Sequence, residues 1–172
     1  MIATVLKHTG RFAALILVQV LLLNNIDLGG YLNPMLYILI VLSLPIETSR
    51  SITMIIGMGT GFAVDVFTRT PGLHMSAGVF LGFMRTIMLR YMAPRDGYEP
   101  GVTSTLSDMG TPWYLTYAGI LTLLHHFYLF FAEAFTVQFF FRTLSKSLLS
   151  TAVTLVLIII VQLFGTRNKL RR

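Results

Sequence analysis

The chain of 172 residues is 55% hydrophobic and only 12% charged, with a mean hydropathy of +0.74; that balance excludes a soluble globular domain and points to a polytopic membrane protein. Its 13 Lys and Arg against 7 Asp and Glu sit beside the apolar runs, where basic residues set orientation and meet anionic lipid, so the charge of +6 is no sign of nucleic-acid binding. The absence of cysteine excludes disulfides, thiolate nucleophiles and thiolate metal sites.

Six apolar runs are expected as transmembrane helices of one integral-membrane domain covering residues 1–172. In the first, at about residues 11–23, Lys7 and Arg11 precede an apolar core as in a secretory signal. The following NNIDLGGYLNP lacks a small-x-small cleavage site, so a retained first helix is expected. The second run, at about 33–44, is extended by Tyr31 and closed near Pro45. It is short for a bilayer, which implies local thinning or burial among neighbours. The third (about 52–67) and fourth (about 73–92) form a hairpin across the turn TRTPG. The connector 93–112, APRDGYEPGVTSTLSDMGTP, mixes charge with Pro and Gly and has no apolar period, so it reads as a loop: a contact element or an untethered linker. The fifth run (about 113–135) leads into the aromatic stretch 127–141, FYLFFAEAFTVQFFF, expected as an interfacial belt or a partner surface. The sixth occupies about 144–164. Placing both termini in the cytoplasm puts Lys7, Arg11, Arg50, Arg90, Arg95, Arg167, Lys169, Arg171 and Arg172 inside. Only Arg69, Arg142 and Lys146 then lie outside, as the positive-inside rule favours.

Asp65 stands out because a carboxylate in hydrocarbon is costly and needs a partner. Gly57, Gly61 and Asp65 share one side of the third helix, and His74, Gly78, Gly82 and Arg85 one side of the fourth. The GxxxG steps Gly57–Gly61 and Gly78–Gly82 allow close backbone approach. Aligning their midpoints in an antiparallel hairpin places Asp65 opposite His74, and a hydrogen bond between the two would relieve the burial of both. The alternatives are that Asp65 caps the turn or pairs with Arg69, four residues on.

Arg85 lies five residues before Arg90, and is expected to snorkel to the cytoplasmic end of its helix, with pairing to Glu47 as the alternative. His125 and His126 are adjacent, diverge by about 100° and cannot clamp one metal together. They are expected to be satisfied interior histidines or to line a partner groove. Glu133 is placed to meet Arg142 or Lys146. There is no HExxH, GxGD or GxSx pattern, no Walker loop and no carboxylate pair spaced for metal-assisted phosphotransfer. GMGTG lies inside an apolar helix rather than after a strand, so it is not a nucleotide loop.

Three segments carry a family resemblance: NPMLYILIVLSLPIETSR (33–50), GFAVDVFTRTPGLHMSA (61–77) and MRTIMLRYMAPRDGYEP (84–100). The chain resembles the rod shape-determining membrane protein MreD family in its Bacteroidota-like form, most sharply from Asn33 to Pro100. The resemblance implies a non-catalytic, cofactor-free scaffold of the bacterial inner membrane. Such a protein binds MreC, and through it meets the MreB filament and the RodA–transpeptidase synthase, supporting lateral peptidoglycan synthesis and cell shape. It also implies a six-helix arrangement similar to the substrate-binding membrane subunits of energy-coupling-factor vitamin transporters. Asp65, Pro71, Gly72 and His74 match the family's outer hairpin motif, and Arg95, Asp96 and Gly97 its cytoplasmic loop string; none is implied to be catalytic. A transporter subunit that binds a small molecule near Asp65 and His74 is the alternative reading.

Overall fold

The computed structural model describes residues 10, 12–26, 32–136 and 138–169. The expectations resting on Lys7, Arg11, Tyr31, Arg171 and Arg172 lie outside the described residues, as do the side chains of Arg167 and Lys169. Among the described residues the protein is all-helical, and the one isolated β-bridge joins Pro45 to Thr103.

Helix α1 (Phe12–Asn25) is not uniform: a π-helical segment, Val18–Leu22, runs into a 3-10 turn, Leu23–Asn25. π segments of this kind re-aim side chains inside a helix. Here Gln19, wholly buried, turns toward the next segment of chain.

That next segment corrects the expectation of one helix over 33–44. Residues 32–35 have no regular structure, a 3-10 turn covers Leu36–Ile38, and only Leu39–Leu42 is α-helical; we call residues 36–42 α2. The cause is Pro34. It lacks an N–H and pushes Asn33 out of the helical region, so no regular helix can start before it. The freed donors are met by side chains: Asn33 N–H by Ser150 Oγ at 3.0 Å, Met35 N–H by Thr154 Oγ1 at 3.1 Å, and Leu36 and Tyr37 N–H by Gln19 Oε1. Irregular backbone survives at membrane depth only when it is enclosed and satisfied in this way. Every residue from Tyr37 to Leu42 is fully buried, so this segment is the axis of the molecule.

Helices α3 (Arg50–Thr68) and α4 (Leu73–Tyr91) form the expected hairpin, α6 (Thr111–Ala134) packs on α4, and α7 (Phe140–Lys169) packs on α6. Ser49 caps α3 by accepting from Ile52 N–H, and Arg69 ends it in the left-handed conformation at φ 57°. Among the described residues three stretches are long and apolar enough to cross a membrane: α3, α6 and Phe140–Gly165 of α7. At 1.5 Å per residue, α3 spans about 28 Å, close to a hydrocarbon core. Helix α4 has the same 19 residues but carries His74, Arg85 and Arg90. The helix ends differ from expectation by at most two residues in α3, α4 and α6 and by four and five in α7, because caps and the first polar turn belong to the helix although they are not apolar.

The connector 93–110 is folded onto the exit of α2. Ile46 N–H donates to Val102 O, Ser104 N–H to Leu44 O, and Gly101 N–H to Glu47 Oε1. A short helix α5 (Leu106–Met109) precedes α6. The untethered-linker alternative is thereby corrected. We refer below to this side as the loop end and to the side of the 69–72 turn as the turn end.

Candidate functional site

At the turn end Asp65 is buried, and its two oxygens accept five hydrogen bonds. Three come from the start of α4: Gly72 N–H at 3.1 Å, His74 N–H at 3.0 Å and Met75 N–H at 3.0 Å. The others come from Thr70 Oγ1 at 2.9 Å and His74 Nδ1 at 2.9 Å. The acid therefore both caps the helix that follows the turn and meets the imidazole; pairing with Arg69 is not seen among the described residues. Gly72, at φ 86°, supplies the left-handed step that turns three N–H groups toward one carboxylate, and exposed Pro71 precedes it.

The glycine alignment needs correction. A Cβ on Gly57 would strike the carbonyl of Gly78, and one on Gly78 the carbonyl of Gly57. Gly61 lies against His74 and Met75, and Gly82 against Thr53 and Met54. The hairpin is thus one helical turn away from the register in which the two GxxxG steps face each other. Asp65 reaches across to the N-terminal N–H groups of α4 rather than lying level with His74, and that capping contact sets the register. Each of the four glycines still meets backbone, so the close approach itself is as expected.

Deeper in the core a polar column follows. The Tyr37 ring lies between His74 and His125, with centroids 6.0 and 5.5 Å away, both edge-on. The Tyr37 hydroxyl and His125 Nε2 share a hydrogen bond of 2.7 Å. His126 Nδ1 is 2.8 Å from the carbonyl of Thr122, so it carries the proton there. Its Nε2 then accepts from Thr154 Oγ1 at 3.2 Å, the same hydroxyl that receives Met35 N–H. Both histidines are buried and both help hold the broken segment. Among the described residues no group of three His, Cys, Asp or Glu could hold a metal ion.

At the loop end Arg85 corrects a second expectation. It does not snorkel and does not meet Glu47. It is fully buried, with Nε donating to Tyr117 Oη at 3.0 Å. Nη2 donates to Leu44 O at 2.7 Å, Pro45 O at 3.2 Å and Ser104 Oγ at 3.0 Å. Ser104 and Tyr117 themselves donate to Leu42 O. Three side chains from α4, the connector and α6 thus take up the carbonyls that α2 leaves open where Pro45 stops it. Tyr98 donates to Leu89 O, and burial pushes its phenol above the ordinary range, so it remains a neutral donor.

The remaining expected residues are dispersed. Arg95 and Asp96 are exposed in the turn closed by Gly97 N–H on Pro94 O. Glu133 pairs with Lys146 at 2.9 Å, and the Lys146 ammonium lies 4.4 Å from the centre of the Phe130 ring. In the aromatic stretch Phe127 stacks on Phe131, which meets Phe140 at a tilt, while Phe135 and Phe141 are 95% and 80% exposed. A cavity of ≈ 190 Å³ at the turn end is lined by His74, Thr70, Asn24, Asn33 and Glu133 among others; Asp65 does not line it.

Sequence reasoning missed Gln19, Tyr37, Ser104, Tyr117, Ser150 and Thr154. Two signals were present: a glutamine within an apolar run, and the stripe Ser147, Ser150, Thr151, Thr154 at helical spacing on α7, all of it buried. No protein-family model, no curated protein and no solved structure matches the chain.

Proposed function

We propose that the protein is a non-catalytic scaffold of the bacterial inner membrane, of the MreD kind. In this reading it binds the membrane-spanning helix of MreC and supports lateral peptidoglycan synthesis and cell shape through MreB and the RodA–transpeptidase synthase. The chain crosses the membrane six times, with α1, the broken segment 32–44 and α4 as the additional crossings. The helices are arranged as in energy-coupling-factor substrate-binding subunits, and both termini are cytoplasmic. The reading is supported above all by Asp65: its carboxylate is saturated by five donors within the chain, so it stiffens a hairpin and has no lone pair left for chemistry. The apolar face Ile55, Met58, Phe62, Val66 of α3 is exposed and available to lipid or a partner helix. Purification of the full chain with MreC from mild detergent tests this. Stable co-purification of the two is expected, and it fails if MreC elutes alone.

A second reading, a transporter subunit, is favoured by the turn-end cavity, where His74 and Glu133 converge. At ≈ 190 Å³ it is smaller than the few hundred Å³ or more of a drug-sized site, so its ligand would have only a few heavy atoms. Mass analysis of small molecules carried through purification separates this reading from the first.

A further inference from the structure

Arg85 carries a full positive charge with no exposed surface, yet none of its hydrogen bonds runs to a carboxylate. Carbonyl and hydroxyl dipoles orient a buried cation but leave its net charge uncompensated, which is costly in a low-dielectric setting. Nε and Nη2 make the four bonds described above, leaving Nη1 without one among the described residues. Beside it lies a cavity of ≈ 250 Å³ whose lining includes Thr48, Arg85, Thr86, Arg90 and Tyr98 and no acidic side chain. None of the four acids of this end lines the cavity: Glu47 accepts from Gly101 N–H, Asp108 from Thr103, and Asp96 and Glu99 are exposed in the connector. The cavity is thus lined by two arginines and Thr48, with no acidic residue among its lining.

We propose that this cavity is a binding site for a phosphate-type oxyanion. Arg85 Nη1 and the Arg90 guanidinium supply paired N–H donors that suit tetrahedral oxygens, and Thr48 adds a hydroxyl donor. At ≈ 250 Å³ the cavity has room for one phosphate group. Two sources carry this chemistry, an anionic lipid headgroup and free phosphate. An interfacial position suits a headgroup: Tyr98 and Trp113 meet edge to face at this end, and Tyr91 at the end of α4 is exposed, as interfacial aromatics are.

The test uses the full chain in phosphatidylcholine nanodiscs. One arm adds phosphatidylglycerol; the other adds inorganic phosphate against chloride at equal ionic strength. The thermal unfolding midpoint is read as a function of added ligand. A saturable rise in the first arm identifies the headgroup as the source, and a rise in the second identifies soluble phosphate. Arg90→Gln is expected to weaken the responding ligand at least tenfold while leaving the midpoint without ligand unchanged. Arg95→Gln, outside the cavity, is expected to leave the response intact. The proposal is overturned if neither arm shifts the midpoint, if Arg90→Gln responds like the parent protein, or if Arg95→Gln weakens binding as much as Arg90→Gln. Because Arg85 also holds α2, its own substitution is left out of the decisive comparison.

Discussion

The Asp65 carboxylate receives two backbone N–H groups at full helix-capping distance, a third from Gly72, a hydroxyl and an imidazole. Asp65→Asn keeps the shape but turns an amide NH₂ toward donors. It is expected to cost about 2–4 kcal/mol of stability, read from the unfolding midpoint in detergent. His74→Ala removes one of the five donors and should cost less. Because the two side chains are in direct contact, the double variant should fall short of the sum of the single losses; strict additivity would show that the 2.9 Å contact carries no coupling. Arg85→Lys offers one ammonium to acceptors that a planar fork now spans, with an expected loss of about 1–3 kcal/mol in the same assay. The Asp65–His74 contact was legible in the sequence, since two polar residues flanking a Pro-Gly turn on a short hairpin have few places to go. The burial of Arg85 was not. Its own helix alone points to snorkelling, whereas its acceptors come from the exit of α2, the connector and α6, segments distant in the chain.

Among the elements, the α3–α4 hairpin rests on backbone contact. Gly57→Ala or Gly78→Ala would drive a methyl group into a facing carbonyl, and separating the helices should cost about 1–3 kcal/mol, as overpacked cores do. Gly59 faces open space, so Gly59→Ala serves as the control and should be neutral or slightly stabilising. If all three variants behaved alike in thermal unfolding, close approach would not be what these glycines provide. The broken segment makes a second case. Gln19→Leu leaves Leu36 and Tyr37 N–H without their acceptor, with an expected loss of about 1–3 kcal/mol and faster hydrogen exchange at both amides. The four long helices were readable because their apolar runs are long. The hairpin register and the break at Pro34 were not. The first depends on where a cap seats, and the second on side chains of α1 and α7 that only the folded chain brings to residues 33–37.

At the scale of the molecule, polar groups are spent inward and apolar side chains outward. Gln19, Asp65, His74, Arg85, His125, His126 and Thr154 are buried, while Ile55, Phe62, Val66, Leu149, Val156 and Leu163 are exposed. That inversion suits a lipid surround, where internal hydrogen bonds rather than apolar burial bind helices to each other. Composition alone conveyed the membrane class, but the partner-facing surface leaves no mark in one sequence, because lipid-facing and partner-facing side chains are chemically alike. The scaffold reading is tested most directly by photo-crosslinking in intact cells. A photoreactive residue is placed in turn at Phe135 and Phe141 of the aromatic stretch, at Arg95 in the connector and at Phe62 on α3, and adducts are identified by mass spectrometry. A scaffold predicts a discrete adduct with MreC from at least one of these four positions, lost when MreC is depleted. Lipid adducts alone at all four positions, together with a small molecule retained by the purified protein, would contradict it.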